Sequence, residues 1–248
     1  MNRTGVPEAI VALDVSSRSA LESVLERLPP EANFFKVGLE LFCAEGPSVM
    51  SVFERRRARV FLDLKLHDIP RTVERAVRAV VQWRVEMLTI HAAGGPAMIR
   101  AAVEAAHSSG PRAPKIVAVT VLTSLDAADF SALGLSCSPE EQTRRWAELA
   151  CQNGADGVVC SAREVGDLRR MLGPDAYLVT PGIRLAGGAP GDQKRTASPE
   201  QAALYGADAV VVGRPILEAP DPALAWRDLV AALRRGAAGR ARACQSPS

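Results

Sequence analysis

Apolar residues along this chain recur with two alternating periods. Short runs rich in Val, Ile, Leu and Phe cover residues 9–14, 34–39, 59–65, 87–92, 115–122, 157–161, 177–180 and 209–212, and each reads as a buried strand. Between them lie longer stretches in which apolar residues return at three-and-four spacing, as at 19–28 and 140–151, the mark of a helix with one face on a core. Strands alternating with helices pair in parallel through right-handed crossovers. Eight such units in 248 residues predict an α/β protein built as a single closed (β/α)8 barrel, the TIM barrel. An open doubly wound sheet is the alternative. It is weakened because no Gly-x-Gly-x-x-Gly follows the first strand, which runs out as Ala12-Leu13-Asp14-Val15-Ser16-Ser17. No linker or compositional break interrupts the array, so one catalytic domain is expected over 1–235. Residues 236–248 lose the periodicity and are expected to form a flexible tail. Trp83, Trp146 and Trp226 fall on helical patterns and are expected to pack helices on the barrel.

Polar residues gather where such a barrel keeps its chemistry, at the C-terminal ends of the strands. Asp14 ends the first strand, Lys36 lies in the second, Asp63, Lys65 and Asp68 finish the third, His91 closes the fourth and Thr123 follows the fifth. The seventh runs into Thr180-Pro181-Gly182-Ile183-Arg184 and the eighth into Gly213-Arg214-Pro215-Ile216, whereas Cys160-Ser161 after the sixth is quiet. The run 63–70 is the most informative, because it sets two carboxylates and an ammonium in an otherwise apolar stretch. Strand alternation predicts Asp63 and Lys65 on one face and Leu62, Leu64 and Leu66 on the other.

A structural ion-pair plug is the plain explanation of such a cluster. Yet a pair at 4 Å and an effective dielectric near 20 gains about 4 kcal/mol, against several kcal/mol of desolvation per ion, so stability alone gives little reason for it. A fixed field aimed at a substrate gives a better one. Only four of the 30 basic residues are lysines (Lys36, Lys65, Lys115, Lys194), and the rest are arginines. Where lysine persists against that background, an ammonium able to give up and regain a proton is the expected reason, since guanidinium cannot.

Other positions carry two readings. Asp14 serves equally well as a cap for the first helix or as an acceptor for sugar hydroxyls. Gly213-Arg214 sits where many barrels bind phosphate, with Arg214 as a bidentate fork. The glycine-rich segment 184–195 has the composition of a lid, with Gln193 within reach of a phosphate when closed. His67 and His91 are expected to be structural.

Composition narrows the partners. A net charge of +2 is too small for a nucleic-acid footprint, and no basic block is interleaved with aromatics. No stretch approaches the ~18 apolar residues of a membrane span, and the first residues contain no apolar signal core, so a cytoplasmic protein is expected. Five cysteines without a Cys-x-x-Cys pair, and three dispersed histidines, predict neither a disulfide framework nor a metal site.

Taken together, Ala12-Leu-Asp14, Phe35-Lys36-Val-Gly38, Asp63-Leu-Lys-Leu-His-Asp-Ile-Pro-Arg-Thr-Val73, His91-Ala-Ala-Gly-Gly95, Val121-Leu-Thr123-Ser, Thr180-Pro-Gly-Ile-Arg184, Asp192-Gln193 and Val212-Gly-Arg214-Pro resemble the bacterial orotidine 5'-phosphate decarboxylases. The resemblance spans nearly the whole chain, with no departure at a motif position. It implies a cofactor-free lyase of pyrimidine biosynthesis that converts orotidine 5'-phosphate to uridine 5'-phosphate and CO2. Lys65 would be the catalytic acid, positioned by Asp63 and Lys36. Asp68 and Thr72 would reach into the partner's site of a homodimer. Asp14 would hold the ribose and Thr123 would lie at the base or ribose end. Arg184, Gln193, Gly213 and Arg214 would hold the phosphate or close over it, and Pro181 would also contact the substrate. The alternatives are a Mg-dependent sugar-phosphate decarboxylase of the same barrel group, whose acid-lysine-acid core is shared, and a non-catalytic nucleotide-binding barrel.

Overall fold

The computed structural model describes residues 5–185 and 197–245. The chain runs β1 (Glu8–Ala12), α1 (Arg18–Arg27), β2 (Phe34–Gly38), α2 (Leu39–Glu45), α3 (Met50–Arg56), β3 (Arg59–Leu66), α4 (Pro70–Val81), β4 (Met87–His91), α5 (Gly95–His107), β5 (Lys115–Val119), α6 (Ala127–Ala132), α7 (Pro139–Gln152), β6 (Gly157–Val159), α8 (Val165–Leu172), β7 (Tyr177–Thr180), α9 (Pro199–Tyr205), β8 (Ala209–Val212), α10 (Arg214–Leu217) and α11 (Pro222–Gln245). Every strand pairs in parallel with its chain neighbours, and β8 closes on β1, so the predicted eight-stranded barrel is the fold.

Strand alternation divides the apolar residues into two cores. Ile10, Ala12, Phe34, Phe61, Met87, Val117, Val179, Ala209 and Val211 form a cluster inside the barrel. Their neighbours one step along, such as Val11, Phe35, Leu62, Leu88, Ala118, Leu178 and Val210, belong to the larger cluster under the helices. Continuing the inward parity past the last apolar layer brings Ala12 to Asp14, Phe34 to Lys36, Phe61 to Asp63, Met87 to Thr89 and His91, and Val211 to Gly213. The same two-residue repeat that fills the barrel therefore delivers the polar residues to its C-terminal mouth.

Helix starts follow their caps. Ser17 accepts from the Ala20 N–H and opens α1, so the capping role weighed for Asp14 belongs to Ser17. Ser138 and Glu141 form a reciprocal capping box at α7, followed by Pro139 at the first helical position. Trp83, Trp146 and Trp226 pack against the outer core as expected.

The expected flexible tail is corrected in part: α11 continues without a break through Gln245. Its small residues explain this. A Cβ at Gly236 would stand 2.2 Å from the Glu200 carbonyl oxygen, so glycine there lets α11 lie directly on α9, and Gly239 adds an ordinary contact with the Leu204 side chain. Close backbone approach, invisible to a search for apolar periodicity, holds this end of the chain. No helix among the described residues is long and apolar enough to cross a membrane.

Candidate active site

One cavity at the C-terminal mouth is lined by Asp14, Lys36, Asp63, Lys65, Thr123, Pro181, Arg184, Gly213 and Arg214, nine positions expected from the sequence and drawn from six different strand ends. Its floor is apolar, made by Ala12, Phe61, Val119, Val159 and Val211. Charges above such a floor interact more strongly than in water.

Four of the lining residues form an alternating chain. Asp14 Oδ1 accepts from Lys36 Nζ at 2.9 Å, Lys36 Nζ stands 3.8 Å from Asp63 Oδ2, and Asp63 Oδ2 accepts from Lys65 Nζ at 2.8 Å. The two inner members, Lys36 and Asp63, are each only 12% exposed. Asp14 and Lys65 are more open to the cavity. A Cβ at Gly38 would stand 2.9 Å from Lys36 Nζ and 3.5 Å from Asp14 Oδ1, so a side chain there would crowd the ammonium where it meets the carboxylates.

Within one chain the second carboxylate is Asp14, whereas Asp68 is exposed, accepts from the Ile69 N–H at 2.6 Å and does not line the cavity. Thr72 is likewise exposed, on the first turn of α4 and outside the cavity. Gln193 and Asp192, with most of the expected lid, lie outside the described residues. The base of that segment is tied down, with the Arg184 N–H donating to the Ala197 carbonyl at 3.0 Å.

The side-chain faces fall as alternation predicts, but the backbone leaves the strand conformation at Lys65. Its φ is +51°, in the left-handed region that costs an L-residue about 1–2 kcal/mol. The register against β4 shifts at the same place, where the four steps from Leu62 to Leu66 match only the two from Leu88 to Ile90. Across this irregularity Asp63 and Lys65 still line the cavity, while Leu64 and Leu66 pack on the outer core.

The partner that meets this bulge is Thr89, which composition and motif did not single out. Its hydroxyl is fully buried, accepts from the Lys65 N–H at 2.8 Å and donates to Asp63 Oδ1 at 2.9 Å. The available signal was parity: a lone hydroxyl between Met87 and His91 on the inward face of a strand.

Two nearby groups are set apart from the chemistry. The rings of His67 and His91 lie 5.4 Å apart, and burial, aided by the charges of His67 and Lys65 and opposed by Asp63, holds His91 below the ordinary imidazole range. Cys160 also borders the cavity, but full burial, reinforced by the Glu164 carboxylate, pushes its thiol far above the usual range, so it stays protonated and unreactive.

A closed eight-stranded parallel barrel, with alternating ammonium and carboxylate groups at its C-terminal mouth and Arg184 and Arg214 on the same wall, defines a (β/α)8-barrel enzyme with a site suited to an anionic substrate. Comparison with known proteins places it more closely. Residues 7–229 match the Orotidine 5'-phosphate decarboxylase / HUMPS family, and the chain belongs to that family. It is 50% identical over 228 residues to an orotidine 5'-phosphate decarboxylase of Moorella thermoacetica, covering 90% of each chain. It is 51% identical over 222 residues to that of Anaeromyxobacter dehalogenans, covering 90% of this chain and 96% of the relative. The crystal structure of orotidine 5'-phosphate decarboxylase from Lactobacillus acidophilus superimposes with a TM-score of 0.82 at 37% identity, covering 92% of this chain and 99% of that one.

Proposed function

We infer that this chain decarboxylates orotidine 5'-phosphate to uridine 5'-phosphate and CO2, the step that supplies UMP in pyrimidine biosynthesis, and that it does so without a cofactor. The observation that carries the mechanism is the Lys65 ammonium, held by Asp63 on a left-handed backbone at the rim of an apolar floor. Breaking the bond between the ring and its carboxylate leaves an electron pair on one ring carbon, where the pyrimidine cannot delocalise it. Only groups that stabilise charge at that carbon lower the barrier. In the proposed step the pair takes a proton from Lys65 Nζ, CO2 departs, and the neutral amine regains its proton from solvent.

The other assignments follow the cavity. Asp63 and Lys36 position Lys65 and, with Asp14, accept or donate hydrogen bonds to the ribose. Thr123 lies at the base or ribose end, Pro181 contacts the substrate from the same cavity, and Arg184, Gly213 and Arg214 hold the phosphate, with Gln193 assigned there from the motif alone. Phosphate contacts remote from the reacting carbon use binding energy to orient the base and exclude water. A cytoplasmic location fits an enzyme that forms a nucleotide.

The active unit is proposed to be a homodimer. Asp68 and Thr72 are exposed beside Ile69, an isoleucine that is 68% exposed, and Leu39 is 51% exposed at the same mouth. Exposed apolar residues flanking exposed acidic and hydroxyl groups fit a surface that meets a second copy and delivers Asp68 to its site. There Asp68 would crowd the substrate carboxylate and favour its loss as neutral CO2. Mixing inactive Lys65→Ala subunits with inactive Asp68→Ala subunits tests this. Restored activity, up to about one intact site per heterodimer, is expected, and no restoration overturns the shared site.

A Mg-dependent sugar-phosphate decarboxylase of the same barrel group is the second reading, since the acid-lysine-acid core of residues 63–68 is shared. It is disfavoured because Asp14 and Asp63 are each engaged by an ammonium at 2.9 Å or closer, where a divalent ion would need their oxygens. Ultraviolet loss of orotidine 5'-phosphate should proceed unchanged in EDTA. Loss of activity restored by Mg2+ would decide for this second reading.

A further inference from the structure

We propose that Thr89 is a positioning residue for the decarboxylation, acting through Lys65 and Asp63 and never touching the substrate. The inference rests on the reading of Lys65 as the proton donor. Lys65 cannot relax into an ordinary strand conformation without moving its ammonium, and its φ of +51° is unfavourable for any side chain. Something must hold it. The Lys65 N–H has lost its place in the β3–β4 ladder, where the register slips between Leu62 and Leu66, and it is met instead by the Thr89 hydroxyl at 2.8 Å. An amide left unpaired beside an apolar floor would be costly, so the hydroxyl replaces the missing strand partner.

The same hydroxyl has one proton to give, and it goes to Asp63 Oδ1 at 2.9 Å. That donation leaves Oδ2 for the ammonium groups, with Lys65 Nζ at 2.8 Å and Lys36 Nζ at 3.8 Å. One buried oxygen atom thus fixes both the backbone that carries the proton donor and the rotation of the carboxylate that aims it. A hydroxyl is suited to this role because it accepts and donates at once, which valine of the same shape cannot do. Two hydrogen bonds to one atom also make the geometry cooperative: shifting Asp63 shifts the anchor of Lys65.

Kinetics of Thr89→Val and Thr89→Ser, beside Lys65→Ala, test the proposal. Thr89→Val keeps the volume and removes both hydrogen bonds. A displacement of the donor by about 1 Å is expected to lower kcat about 100-fold while KM changes less than about threefold, since the phosphate and ribose contacts are untouched. Thr89→Ser keeps the hydroxyl and should recover kcat to within about fivefold of the parent. Circular dichroism and melting temperature establish that the compared variants are folded, and the kcat-against-KM split separates positioning from general loosening. Wild-type kcat in Thr89→Val, or equal losses in Val and Ser variants, overturns the role. If Thr89→Val does not fold, the Ser variant decides alone: a kcat loss above tenfold in a folded protein refutes the hydroxyl's sufficiency, and recovery supports it. Full turnover in Lys65→Ala would instead refute the underlying assignment of Lys65, an outcome distinct from a silent Thr89.

Discussion

At the N-terminal mouth of the barrel, Arg59 from β3 donates through Nε and Nη2 to both oxygens of Glu86, and through Nη1 to Glu8 Oε1 at 2.6 Å. Tyr177 donates to the other Glu8 oxygen, and Lys115 lies 5.5 Å from the centre of the Tyr177 ring. At the C-terminal mouth, Asp14, Lys36, Asp63 and Lys65 again set two carboxylates against two cations. The charge count is the same in the two clusters, and their settings are opposite. Below, a planar guanidinium uses its fork geometry to lock two acids, its proton held tighter than usual once both partners outweigh the cost of burial. Above, point-charge ammonium groups lie along an open cavity, and one of them stands on strained backbone. Arginine ties the closed cluster together, and lysine carries the open one, where proton transfer is proposed.

The largest effect should come from Lys65→Ala. Turnover should fall about ten-thousand-fold or more, the upper range for a positioned acid, while uridine 5'-phosphate binding measured by calorimetry stays within about tenfold. Retained turnover would erase the contrast between the two mouths. Next is Arg59→Met, which leaves two carboxylates facing each other. It should cost about 2–3 kcal/mol in urea denaturation, less than for a fully buried pair because a third of the Arg59 side chain is exposed, with kcat of the folded enzyme within about twofold. A large kcat loss without destabilisation would show that the two ends are coupled.

The smallest effect is a pH dependence at the closed end. Burial raises the Glu8 carboxyl, but hydrogen bonds from Arg59 and Tyr177 and the charges of Arg59 and Lys115 outweigh it, so Glu8 lies below its ordinary value. A depressed carboxyl contributes stability that is present above the unfolded value of about 4.3 and is lost as pH falls through the folded value. The melting-temperature gap between the parent and Glu8→Gln should be constant above about pH 5 and narrow below about pH 4. Parallel curves over that range would remove Glu8 from the network's stabilising role.

Much of the site was legible because a period of two is geometrically strict. Once Ile10, Phe34, Phe61, Met87 and Val211 face inward, parity carries Asp14, Lys36, Asp63, His91 and Gly213 to the mouth with no further information. The lysine census was a weaker guide. Lys36 and Lys65 do line the cavity, but Lys115 belongs to the opposite end, beside Tyr177. Counting residue types cannot tell one mouth of a barrel from the other; position within the strand can. Asp68 and Thr72 were legible as motif positions, yet a single chain leaves both outside the cavity, so the role proposed for them requires a contact between chains.

What the sequence determined by itself was the barrel, its eight strands and the end at which the charges collect, since hydrophobic periodicity and strand parity are local and additive. Tertiary structure alone decided three things: that α11 continues past Gly236 by lying on α9, that Lys65 leaves the strand conformation, and that Thr89 holds it there. Each depends on atoms brought within about 3 Å from distant parts of the chain, where one hydroxyl or one missing Cβ outweighs local preference.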